Sequence, residues 1–134
     1  MNDTTKILHR SMPLCETLGM TATDFTADSV TLQLEWKKRL CTNNGILHGG
    51  AIMALADAAG GACAFLNLPD RAVGTTTIES KTNFLGAVTS GVVTASAKPL
   101  HRGSTTIVVE TEIRHAGRLI AKVTQTQAVL QPRN

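Results

Sequence analysis

Two stretches of the chain alternate apolar and polar side chains with a period of two. In residues 29–36, Val30, Leu32, Leu34 and Trp36 share one parity. In residues 107–114, Ile107, Val109, Thr111 and Ile113 alternate with Glu110, Glu112 and Arg114. After the turn His115-Ala116-Gly117-Arg118, Leu119, Ala121 and Val123 take up the pattern again. This period predicts half-buried strands, the last two forming a hairpin. Residues 19–25 pair with the first strand across Thr26-Ala27-Asp28. The Thr-rich residues 73–84 and residues 91–100 supply two more strands, and residues 3–16 one or two short helices, broken at Pro13.

Residues 49–66 behave differently. They show no alternation and almost no polar face, and they carry a single charged side chain, Asp57. Their length and the stop signal Asn67-Leu68-Pro69-Asp70 predict one long helix. A helix that is apolar nearly all round is normally wrapped by the rest of the protein. The order strand, strand, long helix, then about four strands predicts an α+β architecture, with one antiparallel sheet of about six strands curled around a single buried helix. No repeat or linker interrupts residues 1–134, which read as one domain.

Composition narrows the chemistry. A chain of 134 residues buries roughly two-thirds of its unfolded surface. With one Trp, three Phe and no Tyr, its core rests on aliphatic side chains and Ala. The net charge of +3 is mild, and the basic residues fall in short groups, Lys37-Lys38-Arg39 and His101-Arg102. This pattern argues against nucleic acid and permits a site for a small polyanion. Cys15, Cys41 and Cys63 are odd in number and widely spaced, so neither a disulfide framework nor a metal site is expected, and a reducing cytoplasm is the simplest compartment. The N-terminus has no apolar stretch of signal-peptide length. Residues 49–66 are long enough to span a membrane. However, Ala and Gly insert weakly and a central Asp costs about 3 kcal/mol, so no membrane association is expected.

Asp57 is the oddity of the helix. Burying its carboxylate would be expensive unless something compensates it, and another Ala would serve stability better. It is therefore a functional candidate. Gly49 and Gly50 open the same helix, where the first N–H groups lack intrahelical partners and the dipole favours negative charge. Glycine there also admits a ligand close to the backbone. His48 and Asp57 lie nine residues apart. On one helix that separation is a net turn of about 180° and a rise of about 13 Å. The two side chains of one chain could not serve one small site, so a shared site would need two subunits.

The run Gly45-Ile46-Leu47-His48-Gly49-Gly50-Ala51, followed by Leu55-Ala56-Asp57, resembles the helix-start motif of hotdog-fold acyl-CoA thioesterases of the phenylacetic-acid-degradation type. Element order, helix length and total length agree over most of the chain. The resemblance implies a hotdog fold and hydrolysis of acyl-CoA, aryl or medium-chain, to free acid and CoA without metal or organic cofactor. It also implies homodimers paired edge to edge, often joined as tetramers, with active sites between subunits. By the same resemblance Asp57 is the general base or nucleophile, and the Gly49 N–H polarises the thioester carbonyl. His48 helps to organise that end of the site, and Thr77 is the hydroxyl that assists the acid or its water.

The family has Asn or Gln six residues before the motif His. Here that position is Thr42, with Asn43 and Asn44 just after it: either a neighbouring Asn, with Asn43 the candidate, makes the contact through a shifted loop beside Gly50 at the helix start, or the contact is lost. For the CoA tail the turn His101-Arg102-Gly103-Ser104-Thr105 offers a guanidinium for phosphate, a glycine for close approach and two hydroxyls. Lys38, with Lys37 and Arg39, is a candidate for the same anion. Two alternatives stand beside this reading. A hotdog dehydratase acting on acyl carrier protein would have bulky and Pro residues after its His, where Gly49 and Gly50 stand. A non-enzymatic acyl-CoA sensor would need an added DNA-binding helix pair, which the short segment before the first strand does not supply.

Overall fold

A computed structural model describes residues 1–133. Asn2 caps the first helix by accepting the Thr5 N–H at 2.7 Å, and α1 runs Asp3–Ser11. Pro13, which has no N–H to satisfy, starts α2 at Pro13–Leu18. Six strands follow the predicted segments: β1 (Thr21–Phe25), β2 (Val30–Glu35), β3 (Gly74–Phe84), β4 (Val92–Arg102), β5 (Thr106–His115) and β6 (Arg118–Leu130). Between β2 and β3 lies the long helix α3 (Gly49–Leu66). All pairings are antiparallel, in the order β1-β2-β4-β5-β6-β3. The sheet curls around α3 without closing, so β1 and β3 are its edges.

The alternation seen in the sequence decides which side chains meet the helix. Val30, Leu32 and Leu34 of β2, Val93, Ala95 and Ala97 of β4, and Ile107, Val109 and Ile113 of β5 are buried against it. Each such Leu, Ile or Val contributes roughly 1.5–3 kcal/mol by burial. Ala56, Ala59 and Ala62 on α3 and Ala95 and Ala97 beneath keep the two layers close. At the β5–β6 hairpin Ala116 (φ 50°) and Gly117 (φ 79°) both adopt the left-handed conformation that a two-residue loop matched to strand twist requires. At the end of α3 the Asn67 side-chain amide donates to the Cys63 carbonyl at 2.8 Å and to the Ala27 carbonyl at 2.7 Å. That ties the helix terminus to the β1–β2 turn.

One expectation is corrected. The helix is not wrapped on every side within a single chain. Nine of its residues are buried, but Gly50, Met53, Asp57 and Phe65 are exposed. With Gly61 between the last two they recur every three or four residues and form one open stripe. An apolar composition predicts burial of the whole circumference, but an open sheet covers only part of it. The neighbouring edge strand β3 is exposed along most of its length. Although α3 is long and apolar enough to cross a membrane, it serves here as the core helix.

Candidate active site

Asp57 lies on the open stripe of α3, so the expensive burial expected of it does not occur within the chain. Its carboxylate is nonetheless held. Thr77, on β3, donates its hydroxyl to Asp57 Oδ1 at 3.0 Å, the association expected of these two residues. Gln125, on β6, donates from Nε2 to the same oxygen at 3.2 Å. Behind them Gln127 Nε2 donates to Thr77 Oγ1 at 2.6 Å, and Thr75 Oγ1 donates to Gln127 Oε1 at 3.0 Å. Every donor in the chain Thr75–Gln127–Thr77 points toward Asp57, so each bond polarises the next. Among the described residues Oδ2 has no partner.

Gln125 and Gln127 were not anticipated. The signal for them was parity: counting by twos from Val123 to Val129 puts both on the core side of β6, where each is 1% exposed. The polar run Thr124-Gln125-Thr126-Gln127 hides this, because all four residues read as solvent-facing. Gly60 is their counterpart on α3. Its missing side chain leaves space that the Gln125 amide fills, and a Cβ at residue 60 would collide with that amide. Reaching Asp57 from β6 therefore requires glycine at this turn of the helix.

A bulge in β3 completes the arrangement. Thr77 pairs with Gln127 and Glu79 with Thr126, leaving Ile78 as an extra residue. The insertion shifts the facing parity along β3. Thr77 can thus turn to Asp57 while Phe84, an odd number of residues further on, turns to the helix start. There the Phe84 ring stands 3.0 Å from where a Cβ on Gly49 would be.

At that helix start His48 is the N-cap, with extended backbone (φ −63°, ψ 133°). Its Nδ1 accepts the Gly50 N–H at 2.7 Å, so the proton of the neutral ring is on Nε2. The Gly50 N–H is thereby used within the chain, and the Gly49 N–H is the donor left unpaired among the described residues. The cap geometry also corrects the sequence argument. Because His48 is outside the helix, a helical turn of 180° between it and Asp57 does not apply. The axial separation stands, since Gly49 and Asp57 are eight helical steps, about 12 Å, apart.

Asp57, Thr77 and Gln127 line one side of a groove of about 710 Å³ whose remaining walls include Ile7, Met12, Phe25, Phe65 and Leu66. The few aromatics are thus concentrated: two of the three Phe line this groove, and the third covers Gly49. Composition alone gave no hint of it.

The candidate residues for the CoA tail are placed less compactly. His101 and Arg102 end β4, and Gly103, Ser104 and Thr105 form the β4–β5 turn, where the Gly103 N–H donates to Thr106 O at 2.9 Å. The Arg102 guanidinium is 3.1 Å from Asp28 Oδ1 in the β1–β2 turn, so its charge is already paired, though half-exposed. Lys38 follows the opposite end of β2. The six residues of that strand, about 20 Å, separate it from the Asp28–Arg102 end. Within one chain, then, Lys38 and Arg102 stand at opposite ends of β2. Asn43 begins the exposed short turn Asn43–Gly45, its Oδ1 accepting from the Thr42 hydroxyl at 3.3 Å. Burial pushes the Cys63 thiol up to about 11, the Arg102 charge opposing it, and burial likewise raises Cys15.

Residues 44–122 match the thioesterase superfamily. A protein of Saccharolobus solfataricus with the provisional name of an esterase is 39% identical over 101 residues, 75% of this chain and 71% of that protein. The 1,4-dihydroxy-2-naphthoyl-CoA hydrolase of Listeria monocytogenes is 33% identical over 103 residues, 76% of this chain and 82% of its own. The crystal structure of thioesterase HI1161 from Haemophilus influenzae superposes with a TM-score of 0.87 at 27% identity, covering 98% of this chain and 93% of that one. The chain belongs to the thioesterase superfamily and is a thioester hydrolase of the hotdog fold.

Proposed function

We propose that the protein hydrolyses acyl-CoA thioesters, aryl or medium-chain, to free acid and CoA, in the manner of the phenylacetic-acid-degradation type. The observation that carries this reading is the division of labour at Asp57. Oδ1 is tied by Thr77 and Gln125, while Oδ2 is free beside an apolar groove of acyl size. Acting through Oδ2, Asp57 either takes a proton from water as it adds to the thioester carbonyl or adds to that carbonyl itself. A C–O bond forms, the C–S bond breaks, and the thiolate of CoA leaves and is protonated; where Asp57 itself adds, a water then cleaves the resulting anhydride, which releases the free acid and restores the carboxylate. The aromatic acyl group in the name of the Listeria relative suits a groove walled by Phe25 and Phe65.

The carbonyl donor in this reading is the Gly49 N–H of a second copy. Gly49 and Asp57 of one helix, about 12 Å apart along its axis, are too far apart to meet on a single thioester. In addition, β3 offers an unpaired edge bordered by exposed Val73, Ile78, Phe84 and Leu85. Pairing of two copies through β3 would set the open stripe of each α3 toward the other and create two composite sites. A backbone donor aimed at the developing oxyanion lowers the barrier by about 3–4 kcal/mol. The turn from His101 to Thr105 would receive the nucleotide end of CoA, and two such dimers would form the tetramer that the resemblance implies.

The test is CoA release from a panel of aryl- and fatty acyl-CoAs by wild type and Asp57→Asn. Activity confined to the wild type is expected. Equal rates would remove Asp57 from the chemistry, and tight binding without release would favour a sensor. In mixtures of inactive Asp57→Asn with an inactive His48 variant, activity should return as subunits exchange.

A further inference from the structure

We infer that the buried glutamines of β6 are positioning residues that select which carboxylate oxygen of Asp57 reacts, Gln125 directly and Gln127 through Thr77. This rests on the reading of Asp57 as the reacting acid. The amide orientation follows from chemistry: Nε2 of Gln125 must face Asp57, since two oxygens would repel. That orientation leaves Gln125 Oε1 buried with no hydrogen-bond partner. A buried acceptor without a partner is a defect that an apolar side chain of similar size would remove. Stability therefore does not account for glutamine here, and the bond to Asp57 Oδ1 does.

The second glutamine works on the same oxygen from the other side. Gln127 gives its Nε2–H to Thr77 and takes the Thr75 hydroxyl on Oε1. The Gln127 amide occupies one lone pair of Thr77 Oγ1, and the single Thr77 hydroxyl proton is turned to Asp57. Two donors converge on Oδ1 from β3 and β6, strands that are hydrogen-bonded neighbours, so the carboxylate cannot rotate without breaking both. Oδ2 is left without a partner, on the otherwise open face of α3 that Asp57 shares with the groove.

The experiment compares Gln125→Leu and Gln127→Leu with wild type in steady-state acyl-CoA hydrolysis and urea unfolding. Gln125→Leu is expected to fold with undiminished stability, because it removes the orphaned Oε1. Its kcat should nonetheless fall about 10- to 100-fold, as misplaced reacting groups do, while KM moves less than twofold. A merely structural role predicts the reverse, lost stability at unchanged kcat. Adding Gln125→Leu to Asp57→Asn should change the residual rate no further. A folded Gln125→Leu enzyme with wild-type kcat, alongside a dead Asp57→Asn, would overturn the positioning role alone. A fully active Asp57→Asn would instead overturn the reading of Asp57. Gln127→Leu supplies an independent check, with the same kcat loss expected. Wild-type kcat in that variant would restrict the role to Gln125 and refute the relay through Thr77.

Discussion

Replacing Gly60 with alanine tests the packing that lets β6 reach Asp57. In an unconstrained helix interior Gly→Ala stabilises by about 1 kcal/mol, because the unfolded chain loses freedom. At residue 60 the new methyl would occupy the space of the Gln125 amide, and overpacking of this kind costs about 1–3 kcal/mol. Taking about 2 kcal/mol for the clash, Gly60→Ala should lower stability by about 1 kcal/mol. It should also slow the enzyme, since Gln125 is pushed off Asp57. In a Gln125→Ala background the clash is gone, and the same substitution should stabilise by about 1 kcal/mol. The double-mutant cycle then has a coupling energy of about 2 kcal/mol, well above the few tenths typical of independent sites. Gly61→Ala is the internal control, because no atom lies within 4 Å of its Cβ position; it should follow propensity alone. Equilibrium urea unfolding at one fixed protein concentration measures all five proteins, which keeps any self-association constant. Additive effects, or a Gly60→Ala protein as stable as Gly61→Ala, would refute the reasoning.

Three further outcomes follow from the described geometry. Cys15 and Cys63 are buried, with thiols held neutral above the usual range, so at pH 8 a thiol-specific alkylating reagent should modify Cys41 first, as peptide mapping would reveal. The sign for stability is also set. The folded Cys63 thiol keeps its proton to about pH 11, whereas the unfolded thiol loses it near 9.0. Stability from this group is full below pH 9 and falls as pH rises to 11, to be read from unfolding midpoints across that window. At the helix start, His48→Ala should destabilise by about 1 kcal/mol through loss of the cap, and His48→Asn should restore most of it, since Asn caps well. Equal melting of the two variants would contradict the capping role.

Much of this molecule was legible in its sequence because alternation is a local signal. Val30 to Trp36 and Ile107 to Ile113 declare their faces, and Ala116-Gly117 declares the turn. Asp57 stands out against its apolar helix, and its partner Thr77 was found from the resemblance. What the sequence withheld depends on distant parts. Whether the circumference of α3 is covered is set by how far the sheet curls, which no property of residues 49–66 records. Gln125 and Gln127 look like surface residues until register places them beside Val123 and Val129 on the core side. The bulge at Ile78 has no composition of its own. The separation of Lys38 from Arg102 follows from the length and direction of β2, which charge counting ignores.

The extra residue Ile78 also bears on aggregation. An eleven-residue edge strand that ran straight would be a template for any extended chain, since its free N–H and C=O groups would accept a long, regular partner. With the bulge, the ladder of β3 divides into a short stretch from Gly74 to Thr77 and a longer one from Glu79 to Phe84, out of step with each other. An arbitrary strand can bond past only one of them before its register fails. The distortion that turns Thr77 toward the carboxylate thus also makes this edge a poor seed for fibrils.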